Sequence, residues 1–159
     1  MDHYLKDFID FIRIERSLSK NTIAAYENDL KRYCNYLEER KIISPRSIKL
    51  RDIQKFITEL SELGLTKRTI ARNISAIKSF HKFLLEEDIV AKDATEFLDA
   101  PKIPQKLPEV LDIEEIEEIL DQIDLNTGKG IRDRAIIETL YSAGLRVSEL
   151  ISLKKSEVY

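Results

Sequence analysis

The sequence has little of what secreted, membrane or disulfide-rich proteins depend on. Of its 159 residues one is cysteine, none is tryptophan, and glycine and proline number four each. The lone Cys34 excludes an internal disulfide and is typical of a reducing cytoplasm. The longest uninterrupted apolar run covers only Ile23 to Tyr26, far short of a membrane span, and acids occur where a signal peptide would be apolar. We therefore expect a cytoplasmic protein without membrane contact.

Residues that hold metals or nucleotides are also scarce. The two histidines, His3 and His81, and Cys34 are too far apart in sequence to indicate a zinc site. His81 and Cys34 fall on the apolar sides of their helices, so we expect both to be buried core residues. No glycine-rich phosphate loop and no G-x-S-x-G elbow occurs. The sequence predicts no cofactor, no metal and no small-molecule substrate.

What the chain does contain is charge, unevenly distributed. Residues 1–107 carry 20 lysines and arginines against 17 aspartates and glutamates, whereas residues 108–159 carry 6 against 12. The net charge of −3 therefore combines a positive first part with a negative second part. Because local fields matter more than the sum, overall acidity does not exclude an anionic partner.

Apolar residues recur at helical spacing, and no stretch alternates like a strand, so the predicted fold class is all-α. Four helices are expected before residue 90, at about 2–15, 20–39, 51–63 and 67–86. Asp93 and Glu96 suggest a short capped helix after them. Prolines then cluster in 100–110, which predicts an interdomain linker. Beyond it we expect a helix from Asp112 to about 123, a turn at 126–130 and a helix at about 131–142.

The fourth predicted helix has an apolar side and an opposite side with basic residues and no acid between positions 64 and 82. A solvated helix face usually mixes both signs, so this pattern favours phosphate contact over a plain solvated surface. At the start of the second helix, Ser19 to Thr22 offer donors at a helix N-terminus, although the residues alone favour plain N-capping. The polar side of the fourth helix, called the basic strip below, consists of Arg68, Arg72, Ser75, Ser79 and Lys82.

A second feature lies near the end of the chain, where one helix ends at Gly144 and another begins. Arg146 sits at this joint, held by backbone on both sides, and its planar guanidinium can meet a phosphate in fixed geometry. The alternative is an ordinary surface pair with Glu149 one turn later. Spacing alone favours the surface pair.

Three stretches, in order, resemble Xer-type tyrosine recombinases of the phage integrase family. They are L-S-K-N-T-I-A-A-Y-E-N-D-L at 18–30, T-I-A-R-N-I-S-A-I-K-S-F-H-K-F-L at 69–84, and R-D-R-A-I-I-E-T-L-Y-S-A-G-L-R-V-S-E-L-I-S-L at 132–153. The resemblance implies a four-helix, SAM-like core-binding domain at 1–99, a linker at 100–110, and the beginning of a catalytic domain at 111–159. It identifies Arg146 as the first catalytic arginine. The residues that it places on double-stranded DNA are Lys20, Asn21, Thr22, Arg68, Arg72, Ser75 and Lys78.

The resemblance also implies an activity. Such enzymes break a DNA strand through a 3′-phosphotyrosyl link without metal or nucleotide, and they act with other recombinase protomers in a tetrameric synapse. Of the catalytic set this chain holds only Arg146. No histidine follows His81, so the H-x-x-R motif is absent, and Tyr159 comes too soon after Arg146 to be the nucleophile.

We therefore expect a fragment or truncated form of such an enzyme that binds DNA without cleaving it. The alternative is a noncatalytic helical module, either a DNA-binding regulator or a protein-interaction domain derived from the family. A further expectation is that 108–159, short of packing partners, exposes apolar surface and drives self-association.

Overall fold

The structure is a computed structural model that describes residues 1–16, 18–101 and 110–157. These residues form helices and turns, with no strand among them, which confirms the predicted all-α class. No helix in the described part of the chain is both long enough and apolar enough to cross a bilayer. The chain forms two compact units, Met1–Gln105 and Lys106–Tyr159.

Four α-helices build the first unit: α1 at Asp2–Ile14, α2 at Lys20–Glu39, α3 at Leu50–Glu62 and α4 at Lys67–Glu86. Their bounds confirm the four helices expected from apolar spacing. A short 3₁₀ turn, Pro45–Ser47, lies between α2 and α3. Side chains fix several helix ends locally: Ser19 caps α2, Thr66 caps α4, and Gly64 follows α3 in the left-handed conformation with φ of 77°.

The core of the first unit lies around α4, which contacts α1, α2 and α3. The side chains of Phe8 and Phe80 are fully buried and meet edge to face, with ring centroids 5.5 Å apart. Between α2 and α3, Tyr33 packs on Phe56 with centroids 5.3 Å apart. Each fully buried side chain of this size contributes about 1.5–3 kcal/mol, so this core accounts for the position of α4 and of its polar side.

The segment after α4 does not form the short helix expected at Asp93 to Glu96; that prediction is wrong. The Asp93 carboxylate accepts hydrogen bonds from the backbone N–H and the hydroxyl of Thr95, both at 2.7 Å. This arrangement is a turn, because the side chain caps the residue two positions on instead of three. Leu98 then joins the core.

The second unit contains α5 at Ile113–Asp121, α6 at Gly128–Ala143 and α7 at Val147–Ser152, followed by a 3₁₀ turn at Lys155–Glu157. Asp112 caps α5, the helix expected to begin there, and the Glu115 carboxylate accepts in turn from the N–H of Asp112. The predicted turn at 126–130 is partly wrong, because the Thr127 hydroxyl accepts from the N–H of Gly130 and starts α6 at Gly128.

Burial in the second unit differs sharply from burial in the first. Among residues 110–157 only Gly130 is buried; a methyl group there would overlap the carbonyl of Asp124. Most of the predicted linker at 100–110 lies outside the described residues, as does Tyr159.

Candidate nucleic-acid interface

The basic strip on α4 is exposed along most of its length. Arg68, Arg72, Ser75 and Lys82 are exposed, and Ser79 and Lys78 are half-buried. The opposite side of α4 is buried at Ile70, Ile74, Ile77, His81 and Leu84, so core packing determines which side faces solvent. The helix places its polar residues where a ligand can reach them.

The residues of the strip, and Lys78 beside it, differ in how strongly neighbouring groups already hold them. The Nζ atom of Lys82 lies 3.6 Å from Glu86, and the hydroxyl of Ser75 donates to the carbonyl of Ala71 at 3.0 Å. Within the described residues no hydrogen bond or ion pair engages the guanidinium of Arg68 or the ammonium of Lys78. Those two cations are therefore the most available for an external anion.

Arg72 is held by a partner that sequence analysis missed. Its Nε and Nη2 atoms donate to the two carboxylate oxygens of Asp29 on α2, at 2.8 and 3.1 Å. The hydrogen bond to Asp29 raises the pKa of the Arg72 guanidinium, so the group stays charged wherever the protein is folded. The Asp29 side chain is only 2% exposed, whereas that of Arg72 is 47% exposed.

A signal for Asp29 exists in the sequence. At 100° per residue, Asp29 falls beside Tyr33 and Tyr36 on α2, and all three are buried. Around α2 the apolar residues span the sector from Tyr33 to Cys34, and Asp29 and Tyr36 widen the buried sector beyond Tyr33. An acid within such a sector predicts a buried ion pair, because a carboxylate rarely goes inside unpaired.

The start of α2 combines capping with exposed donors. The hydroxyl of Ser19 accepts from the N–H of Thr22 at 3.2 Å and lies 2.8 Å from its hydroxyl, so the capping explanation is correct for Ser19. Lys20 and Asn21 are exposed and Thr22 is half-buried. A helix N-terminus carries a partial positive charge, which adds to the ammonium of Lys20 in favouring an anion.

Arg146 lies at the joint that the sequence indicated. Gly144 ends α6 in the left-handed conformation with φ of 60°, and Arg146 precedes α7 as its N-cap residue. The Arg146 side chain is 82% exposed. It pairs with Glu149 through Nη1 at 3.0 Å, and its backbone N–H donates to the same carboxylate at 2.7 Å. The backbone hydrogen bond, followed by that of the side chain, lowers the pKa of Glu149.

Two residues that the sequence placed in the core are there. His81 is 1% exposed, and its Nε2 lies 3.1 Å from the hydroxyl of Tyr33. Burial lowers the pKa of His81 to about 4, so its ring is neutral near pH 7. Cys34 is also 1% exposed, and burial raises the pKa of its thiol to about 11. No cluster of metal-ligating side chains occurs in the described part of the chain.

Comparison with known proteins matches both parts of the chain to one family. Residues 5–88 match the family described as phage integrase, N-terminal SAM-like domain, and residues 109–159 match the phage integrase family. The chain is 44% identical over 158 residues to proteins named tyrosine recombinase XerD from Staphylococcus haemolyticus and Staphylococcus aureus, and 42% identical to that of Staphylococcus epidermidis.

Each alignment covers 99% of this chain and 54% of the relative, so the chain spans about half the length of the curated relatives it matches. The first match covers more than half of the chain and includes all four helices of the first unit except the beginning of α1. The chain belongs to the phage integrase family, the tyrosine recombinases, and is of the Xer type.

Proposed function

We propose that this chain is the DNA-binding portion of a site-specific tyrosine recombinase. In the complete protein, a tyrosine hydroxyl would attack a DNA phosphate, form the 3′-phosphotyrosyl bond and release the 5′ oxygen, which takes up a proton. Other recombinase protomers and double-stranded DNA are the partners. The observation that carries the proposal is the exposed basic strip of α4 in a chain of this family.

The chemistry of the strip supports contact with phosphates. Lysine and arginine side chains that neutralise phosphates release condensed counterions, which favours binding independently of base sequence. Arg68 and Lys78 supply such charges, and Arg72 and Ser75 add donors beside them. The donors of Lys20, Asn21 and Thr22 at the start of α2 extend this set. Few cations are involved, so binding by this chain alone should be weak and strongly dependent on salt.

In the proposal Arg146 has a catalytic role in the complete protein. A guanidinium stabilises charge on a phosphate under attack, as phosphoryl transfer requires. The Glu149 carboxylate would keep Arg146 oriented at the start of α7. The partner residues of the active site are absent from this sequence, so we expect the chain to bind DNA without breaking it.

The test is binding of a fluorescein-labelled duplex of random sequence, measured by anisotropy at several salt concentrations. Arg68→Ala should weaken binding to every duplex and reduce the salt slope by about 1. Arg72→Ala is a poor choice for this test, because it would also uncover the buried Asp29 carboxylate. Arg13→Ala is the matched control: Arg13 is an exposed arginine on α1, and its loss should leave the slope unchanged.

Equal slopes for the parent and Arg68→Ala would contradict the assigned surface. A duplex that traps covalent intermediates should yield no adduct with this chain. An adduct would contradict the expected inactivity.

A second candidate function is a noncatalytic protein-interaction module. It is favoured by the apolar side chains that residues 110–157 expose, of which Val147 is 65% and Ile151 79% exposed. Exposed apolar patches commonly mark protein contacts. A chain that shifts no DNA at low salt and scatters light as an oligomer would support this candidate over the first.

A further inference from the structure

The contact between Arg72 and Asp29 has a geometry that leaves part of the guanidinium unused. Arginine carries five N–H donors in one plane. Asp29 takes one from Nε and one from Nη2, and no described residue accepts from Nη1. Three donors therefore stay available on a side chain that is 47% exposed. The pair closes one edge of the guanidinium and leaves the other edge open.

Asp29 is itself held in place. Its Oδ1 atom accepts from the amide Nδ2 of Asn73 at 3.0 Å as well as from Arg72. The same amide donates to the carbonyl of Thr69 at 2.9 Å, which fixes the Asn73 side chain on its own helix. Asn73 is fully buried. The carboxylate thus has three N–H donors from α4 and cannot rotate without losing at least one.

The position of Arg72 makes this restraint relevant to binding. On a helix, residues 68, 72, 75 and 79 fall in one narrow sector, so Arg72 lies within the basic strip, between Arg68 and Ser75. A free arginine loses considerable rotamer freedom when it binds a phosphate. An arginine already tied by two hydrogen bonds has lost most of that freedom before the ligand arrives.

We propose that Asp29 is a positioning residue for DNA binding: it holds the Arg72 guanidinium in the basic strip with its open edge toward a backbone phosphate. The inference rests on the proposed DNA-binding function. It gives an acidic residue a role in an interface whose other charged residues are cations. Asp29 does not touch the phosphate. It acts through Arg72, which offsets its charge, and Asn73 donates a hydrogen bond to the same carboxylate.

The sign of one substitution tests the proposal. Removing an acid from a DNA-binding surface ordinarily tightens binding, because a repulsive charge is lost. Asp29→Asn should do the opposite and weaken binding of a fluorescein-labelled random duplex about three- to tenfold, since Arg72 must then be ordered by the phosphate itself. The matched control is Asp10→Asn, which removes one acid paired with Arg13 on α1. It should leave affinity unchanged or slightly higher.

Circular dichroism establishes whether Asp29→Asn is folded. If that folded variant binds DNA as tightly as the parent, or more tightly, the proposal is overturned.

A measurement on the unmodified chain covers the case in which Asp29→Asn fails to fold. The Nε–H signal of Arg72, assigned by its loss in Arg72→Lys, should exchange with water more slowly than that of Arg68 in the free protein. It should stay slow when the chain is saturated with duplex DNA. Exchange that accelerates to the rate of Arg68 on DNA addition would show that the pair must break, so that Asp29 competes with DNA instead of positioning Arg72.

Failure of the proposed function has a different signature. If the parent chain binds no duplex at low salt, the DNA-binding function fails and the positioning role fails with it. If the parent binds and Arg68→Ala weakens binding, but Asp29→Asn does not, only the positioning role fails.

Discussion

The described residues of 1–101 and those of 110–157 both form mainly helices, yet only the first stretch builds a core. Every buried hydrophobic side chain of the described residues lies between Leu5 and Leu98. In the second stretch α5, α6 and α7 form, with side-chain N-caps on α5 and α6, and among the described residues of this stretch Gly130 alone is buried. A segment of this chain can therefore form helices without forming a hydrophobic core. Caps and local spacing produce helices, whereas a core needs enough helices to enclose apolar side chains.

The charges follow the same division. In the first stretch an arginine reaches across 43 residues to a buried carboxylate, and an ion pair ties two helices together. In the second, Arg146 pairs with Glu149 only three residues away, and both side chains remain exposed. Long-range pairs therefore accompany the core and are absent where the described chain lacks one.

The largest expected effect compares the same substitution in both stretches. Ile77 is fully buried, whereas Ile151 is 79% exposed. Ile77→Ala should lower the free energy of unfolding by about 2–5 kcal/mol, because it removes buried methyl groups and leaves a cavity. Ile151→Ala should change it by less than about 0.5 kcal/mol. Urea unfolding followed by circular dichroism measures both, and equal losses would contradict the division.

A second comparison removes an arginine from each stretch. Arg72→Ala should destabilise the protein by about 3 kcal/mol, near the lower end for a broken buried pair because Arg72 is half exposed. Asp29→Asn in the same chain should recover part of this loss, since a neutral amide replaces the orphaned charge. Arg146→Ala should leave the melting temperature unchanged. Thermal unfolding of the parent, the two single variants and the double variant measures these effects. An Arg72→Ala chain as stable as the parent would show that water or another group solvates the Asp29 carboxylate.

The third comparison concerns how the free energy of unfolding depends on pH. The effect comes from His81, in the core of the first stretch. Burial, opposed by the charge of Asp93, lowers the pKa of His81 to about 4, below its ordinary value near 6.5. The unfolded chain then binds the extra proton, so stability present above about pH 6.5 is lost as pH falls toward 4.

Between pH 7 and pH 5 the loss should be about 2 kcal/mol. In His81→Gln, which keeps a polar group facing the Tyr33 hydroxyl, this component should vanish. Urea titrations at the two pH values measure it, and identical pH dependence of both chains would exclude His81 as its source.

Much of the fold was predictable because its determinants are local. Leu5, Phe8, Ile9 and Ile12 recur at helical spacing, and these four residues are the buried side of α1. Ser19 and Gly64 lie at helix ends for local reasons, the first because of capping and the second because of its backbone conformation. The error at Asp93 is also local, because its carboxylate can accept from an N–H three residues on and cap a helix, or from an N–H two residues on and form a turn. The structure has the turn. The domain limits and the linker remain predictions.

The candidate site was predictable only in part. Exposure of Lys20, Asn21, Arg68 and Ser75 follows from helical periodicity once the apolar side is known. Burial of His81 and Cys34 follows in the same way. Periodicity does not predict the partner of Arg72. It places residues around a single helix, but it does not say which residues of two packed helices lie side by side.

The sequence by itself determined the helices, their caps and the sides that they bury, since these depend on neighbours within a few positions. It also carried the family motifs, including Gly144 and Arg146. Only the tertiary structure decided that the carboxylate of Asp29 meets Arg72 and Asn73. That contact depends on how α2 packs against α4, and packing is set by the combined shape of the core and by no single spacing in the chain.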